Sequence, residues 1–82
     1  MGRVLVTKER LLEILNERLQ EHDDCKGCHF PGAVIALRRP DPEGCNWSRV
    51  LTLRSSGRTS QACKLIAGRV IDEVTRQYNL EA

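Results

Sequence analysis

Apolar positions recur along this chain in two rhythms, and each rhythm predicts a different kind of element. Leu11, Leu12, Ile14, Leu15 and Leu19 fall within one arc at three- and four-residue steps, the spacing of an amphipathic helix. Thr7 stands ahead of them as an N-cap, and Val6 and Leu11 occupy the two positions of a hydrophobic staple. A helix is expected over residues 7–21. On its other side Glu9, Glu13, Glu17 and Glu21 make an acidic column flanked by Arg10 and Arg18. That column reads as a solvated face, with a docking face for a basic partner as the sharper alternative.

The same rhythm returns near the C-terminus. Ala62, Cys63, Ile66, Ala67, Val70, Ile71, Val74 and Tyr78 predict a helix over about 60–78, capped by Thr59 or Ser60 and ending near Asn79. Ala62, Ala67 and Gly68 are small and would let another element approach closely.

Between the helices the pattern shortens to that of strands. Residues 33–37 are a continuous apolar run bounded by Gly32 and Pro40, which predicts a strand buried on at least one face. Residues 38–44 are dense in proline, glycine and acidic residues and predict a loop. From Trp47 to Arg54 the chain alternates, with Trp47, Leu51 and Leu53 on one parity and Ser48, Thr52 and Arg54 on the other. That suits an antiparallel hairpin with one wet face. A hairpin alone is marginal in water, so both helices are expected to pack on one face of it. The fold class is α+β, one small domain over residues 1–82 ordered helix–strand–strand–helix, with Arg3–Val6 as a candidate extra strand.

Composition narrows the function classes. Eighty-two residues lie near the lower limit at which a core supports itself, leaving little room for a substrate cleft, so an enzyme is disfavoured. With one Trp, one Tyr and one Phe, the core must be aliphatic. The net charge of +2 divides unevenly. Residues 1–23 carry four basic and five acidic side chains, and residues 24–82 carry nine and six. The apolar stretch after Arg3 is three residues long, too short for a signal peptide or a membrane span. A soluble, cytoplasmic protein is expected, with reduced thiols and no disulfide framework.

The chemistry-bearing stretch is Asp23-Asp24-Cys25-Lys26-Gly27-Cys28-His29, with Cys45 and Cys63 downstream at intervals of 16 and 17 residues. A Cys-x-x-Cys turn places two thiolates on one side of a zinc tetrahedron. In the expected hairpin Cys45 lies a strand length away, whereas Cys63 opens the helix that follows the second strand. Cys25, Cys28 and Cys63 are therefore expected to share one corner, with His29 or His22 as the fourth ligand of one structural zinc. The alternative leaves Cys63 as a small core residue and the other two as turn thiols. Cys25-Lys26-Gly27-Cys28-His29 also matches the c-type haem attachment string, but Met1 is the single methionine for an axial position and no export signal is visible. Thioredoxin-like chemistry needs its Cys-x-x-Cys to open a helix, and here the motif follows one. Nucleophilic catalysis needs a histidine facing a cysteine, and adjacent Cys28 and His29 point apart.

The basic residues offer a second class. Arg38, Arg49 and Arg54 on the wet face of the hairpin would form a stripe able to follow phosphates, with Arg58, Lys64, Arg69 and Arg76 beyond it. Stacking aromatics are lacking there. The sequence thus favours a small non-catalytic interaction module, zinc-stabilised and self-associating or bound to a protein partner. A nucleic-acid-binding domain is the alternative, and a thiol redox protein working through Cys25 and Cys28 is the weaker one.

Overall fold

The computed structural model describes residues 2–32, 34–57 and 61–81. In chain order the elements are β1 (Val4–Val6), α1 (Lys8–Gln20), a 3-10 turn (Asp23–Cys25), β2 (Cys28–His29), β3 (Arg54–Ser55), α2 (Gln61–Gln77) and β4 (Tyr78–Leu80). The fold is a small α+β domain, as its patterning implies. The predicted cap at Thr59 or Ser60, Arg58, and Ala33 of the predicted first strand lie outside the described residues.

Thr7 caps α1 as expected: its hydroxyl oxygen accepts from the Arg10 amide at 3.1 Å. Leu11, Ile14, Leu15 and Leu19 are buried along one side of the helix. The acidic column is partly neutralised, because the Arg10 guanidinium lies 3.4 Å from Glu13 and 3.3 Å from Glu17. α2 buries Cys63, Ala67, Val70 and Val74. It stops a residue before Tyr78, where the chain extends into β4 instead of fraying out of a helix.

The strand arrangement departs from a single hairpin carrying both helices. β1 pairs with β4 in parallel, Val4 opposite Tyr78 and Val6 opposite Leu80, so the two ends of the chain close on each other. β2 pairs with β3 antiparallel, Cys28 opposite Ser55 and His29 opposite Arg54. The predicted hairpin between 33–37 and 47–54 survives as one antiparallel bridge, Ala36 to Trp47. The Leu37 amide donates to the Asn46 carbonyl at 2.9 Å, and the Ser48 amide to Ile35 at 2.8 Å. Val34 is buried, but Ile35 is 63% exposed, so the continuous apolar run lacks a continuous buried face. Alternation after Trp47 is nonetheless visible as burial: Leu51 and Leu53 pack against the core while Val50 stands 86% exposed. An extended segment can keep its inward and outward parity without a ladder partner.

The core is less purely aliphatic than composition alone suggests. Trp47 is its largest fully buried side chain, and Phe30 is buried as well. All four cysteines lie within the same cluster. Among the helices of the described residues, none is long and apolar enough to cross a membrane.

Candidate functional site

The knuckle, the Cys-x-x-Cys turn at residues 25–28, is built by α1 and closed by α2. Past Gln20 the chain makes its 3-10 turn, with the Cys25 amide donating to His22 at 3.0 Å and the Lys26 amide to Asp23 at 3.2 Å. Asp23 and Asp24 stay exposed. Gly27 takes a φ of +83°, in the left-handed region that suits glycine, and a Cβ there would lie 2.8 Å from the Ser56 hydroxyl oxygen. The turn thereby brings β2 against β3. Two side chains of α1 bind it from below. Gln20 Nε2 donates to the carbonyls of Cys25, at 3.2 Å, and of Cys28. Asn16 clasps Phe30 at both backbone groups, donating to its carbonyl at 3.2 Å and accepting from its amide at 2.7 Å.

Cys25 and Cys63 meet at this corner. Their Cα atoms are 5.1 Å apart and their sulfurs form a disulfide across 38 residues of sequence. Reduced thiols throughout were expected, and this bond is a correction to that reading. The pairing follows from topology: Cys25 ends the 3-10 turn and Cys63 lies in the first turn of α2, so packing of α2 against the turn lays one sulfur on the other. Cys28 is a buried free thiol. His29, its neighbour on a strand, faces the other way and is exposed. The sulfurs of Cys25 and Cys63, once bonded, have no thiolate to offer a metal. Among the described residues no group of three or more His, Cys, Asp or Glu side chains is arranged to hold a metal ion.

Cys45 sits apart from this corner, for a reason other than the strand length of a hairpin. It lies beside Asn46, which bonds β4 beyond the C-terminal end of α2, whereas Cys63 is in that helix's first turn. The helix alone separates them by roughly 20 Å.

The three arginines expected to share a wet face do not. Arg38 lines the same cavity as Lys8, at the start of α1. Arg54 pairs with His29, next to Cys28, whose carbonyl is bonded to Gln20 at the far end of α1. The two are thus a helix length apart, about 18 Å. Arg49 is occupied. It pairs with Glu43 and lies 3.6 Å from both Asp41 and Asp72. The hydrogen bond to Glu43, with the negative charges of Glu43 and Asp41, raises its pKa against the opposing cost of burial.

Arg49 belongs to a second polar centre that sequence reasoning missed. Asp41 Oδ1 accepts from the amides of Glu43, at 2.9 Å, and Cys45, at 3.0 Å. The turn between them needs Gly44, whose φ is +91°. Arg3 reaches over it and donates to the carbonyls of Thr75 and Glu43. Asn46 then clasps Leu80 as Asn16 clasps Phe30: its Oδ1 accepts from the Leu80 amide at 2.8 Å and its Nδ2 donates to the Leu80 carbonyl at 3.0 Å. Trp47 Nε1 donates to the Tyr78 carbonyl at 3.1 Å. The signal for the turn was present in Asp41-Pro42-Glu43-Gly44; the asparagines carried none, because a clasp is made across the fold. With this geometry in place, no protein-family model matches the chain, and neither does any curated protein or solved structure.

Proposed function

We propose that the chain is a small non-catalytic interaction module whose partner is a second copy of itself, joined edge to edge along β1. The observation that carries this reading is the outer edge of that strand. The Glu81 amide donates to the Val6 carbonyl at 2.9 Å, which sets the phase of the parallel ladder. Val4 and Val6 then direct their backbone groups to β4, and the N–H and C=O of Leu5 face away from it. Val4 and Leu5 are 60% and 58% exposed. The outer edge of β4, by contrast, is filled by Asn46 and Trp47. Proteins blunt free edges with charge, proline or a covering segment, and Val4-Leu5-Val6 has neither charge nor proline.

A copy of the same strand fits this edge for a geometric reason. In an antiparallel pair centred on Leu5, the two Leu5 residues exchange both hydrogen bonds, and Val4 of each copy faces Val6 of the other. Donor, acceptor and aliphatic surface are matched by one two-fold operation, giving an isologous dimer. A chain this short also gains from burying surface between copies.

The other readings find less support. Arg38 and Arg54 stand at opposite ends of α1 and Arg49 is spent on carboxylates, so among the described residues no continuous basic stripe argues for nucleic acid. Thiol exchange needs an accessible sulfur, and all four cysteines are buried.

Sedimentation equilibrium over a concentration series tests the proposal. A reversible dimer in the micromolar range is expected, with the Leu5 amide protected from exchange only in the dimer. Leu5→Lys should give a folded monomer. A wild-type chain that stays monomeric at millimolar concentration, or a Leu5→Lys dimer of unchanged strength, would rule the interface out.

A further inference from the structure

A cavity of about 490 Å³ opens where β1 and β4 end and α1 begins, its outer wall formed by the segment that follows Ala36. We infer that it is a binding site for a small organic carboxylate carried on an apolar body. The volume falls within the range of small-molecule pockets. Val6, Leu37 and Leu80 supply apolar wall, and Lys8 and Arg38 bring two cations from different segments.

Those cations are the distinguishing feature. Arg10 and Arg49 are each paired with carboxylates. Among the described residues, Lys8 and Arg38 take part in no ion pair or side-chain hydrogen bond, although Glu81 lines the same cavity. With Glu81 counted, the lining carries a net single positive charge, which a monoanion balances and a phosphate dianion overshoots. A guanidinium presents a planar fork that matches a carboxylate, and a lysine adds a point charge beside it. The start of α1 at the wall contributes positive potential of the same sign. The apolar wall then selects a ligand with a hydrocarbon body over a bare ion.

The cavity shares Val6 with the β1 edge but not Leu5, on which the dimer is centred, and its reporters are different amides. An NMR titration of the 15N-labelled chain with phenylacetate, phenylacetamide and inorganic phosphate tests it. Phenylacetate should give saturable shifts at Thr7, Lys8, Leu37, Arg38 and Glu81. It should bind roughly tenfold more tightly than the isosteric amide, the size of one charge-assisted contact. Lys8→Gln with Arg38→Gln should erase that preference, while Arg54→Gln at the far end of α1 should leave it intact. Both cavity positions are exposed, and the same spectra report whether the variants fold. Equal binding of phenylacetate and phenylacetamide, shifts as large with phosphate alone, or no saturable shift would each overturn the inference.

Discussion

At the knuckle corner Asn16 clasps both backbone groups of Phe30, and at the closing corner Asn46 clasps both backbone groups of Leu80. Each asparagine does the work of a missing strand neighbour, supplying one acceptor and one donor to a buried residue. What stands behind the clasp differs. The knuckle adds a covalent bond between Cys25 and Cys63 and a second amide, Gln20, on the same segment. The closing corner has no covalent link. It relies on Trp47, on the β1–β4 ladder, and on two arginines that tie residues 41–45 to α2. One corner is held by chain connectivity and the other by polar complementarity. They should therefore fail under different conditions.

The largest effect should come from breaking the covalent side. Closing a loop of 38 residues is worth about 4 kcal/mol in the chain-entropy account, a large share of the stability of a chain this small. Reduction, or Cys25→Ala with Cys63→Ala, should shift the urea midpoint strongly and loosen 22–30 before 41–49 in hydrogen exchange. Thiol titration of the denatured, unreduced chain should find Cys28 and Cys45 alone. Four reactive thiols and a bound zinc would instead restore Cys25, Cys28 and Cys63 as ligands.

Asn46→Ala should come next. It leaves the amide and carbonyl of buried Leu80 without partners, at a cost of about 2–3 kcal/mol. Asn16→Ala removes the same two bonds from Phe30, but there the disulfide and Gln20 still position the segment, and the loss should be smaller. Urea unfolding of both variants with the disulfide intact checks the order. Equal losses would mean that the covalent bond does not back up the clasp, and the contrast between the corners would go with it.

These two corners also explain how far the sequence could be read. Both helices were legible because their apolar residues repeat over many turns, so one exposed position does not erase the pattern. The meeting of Cys25 with Cys63 was legible too, since it follows from element order; its oxidation state was not, because thiol spacing is the same in either state. The strands were not legible as pairs. β2 and β3 are two residues long, and β4 is three residues directly continuing a helix, all too short for a period to declare itself. Ile35 and Leu37 misled because a continuous apolar run implies burial, and here both remain exposed. The arginines misled for a related reason. Sharing a face requires a straight, paired strand, and residues 47–54 pair only near their ends.

The smallest effect tests the polar side by pH. The Cys45 amide chiefly holds the Asp41 carboxyl below its ordinary pKa; partial burial opposes this, and the Glu43 amide, Arg49 and Arg3 assist. A carboxyl whose pKa is lowered by folding contributes stability that is fully present above its unfolded value. That contribution is lost as the pH falls through the folded value. Asp41→Asn keeps an oxygen for the two amides and removes both the titration and the attraction to Arg49. Wild type should therefore exceed Asp41→Asn in melting temperature by a modest margin at neutral pH, and the margin should close as the pH falls below the ordinary carboxylate range. Added salt should narrow it at neutral pH as well, because the Arg49 pairs lie near solvent. A margin unchanged from neutral to acid would mean that the turn is held by its hydrogen bonds alone, and that charge contributes nothing to closing this corner.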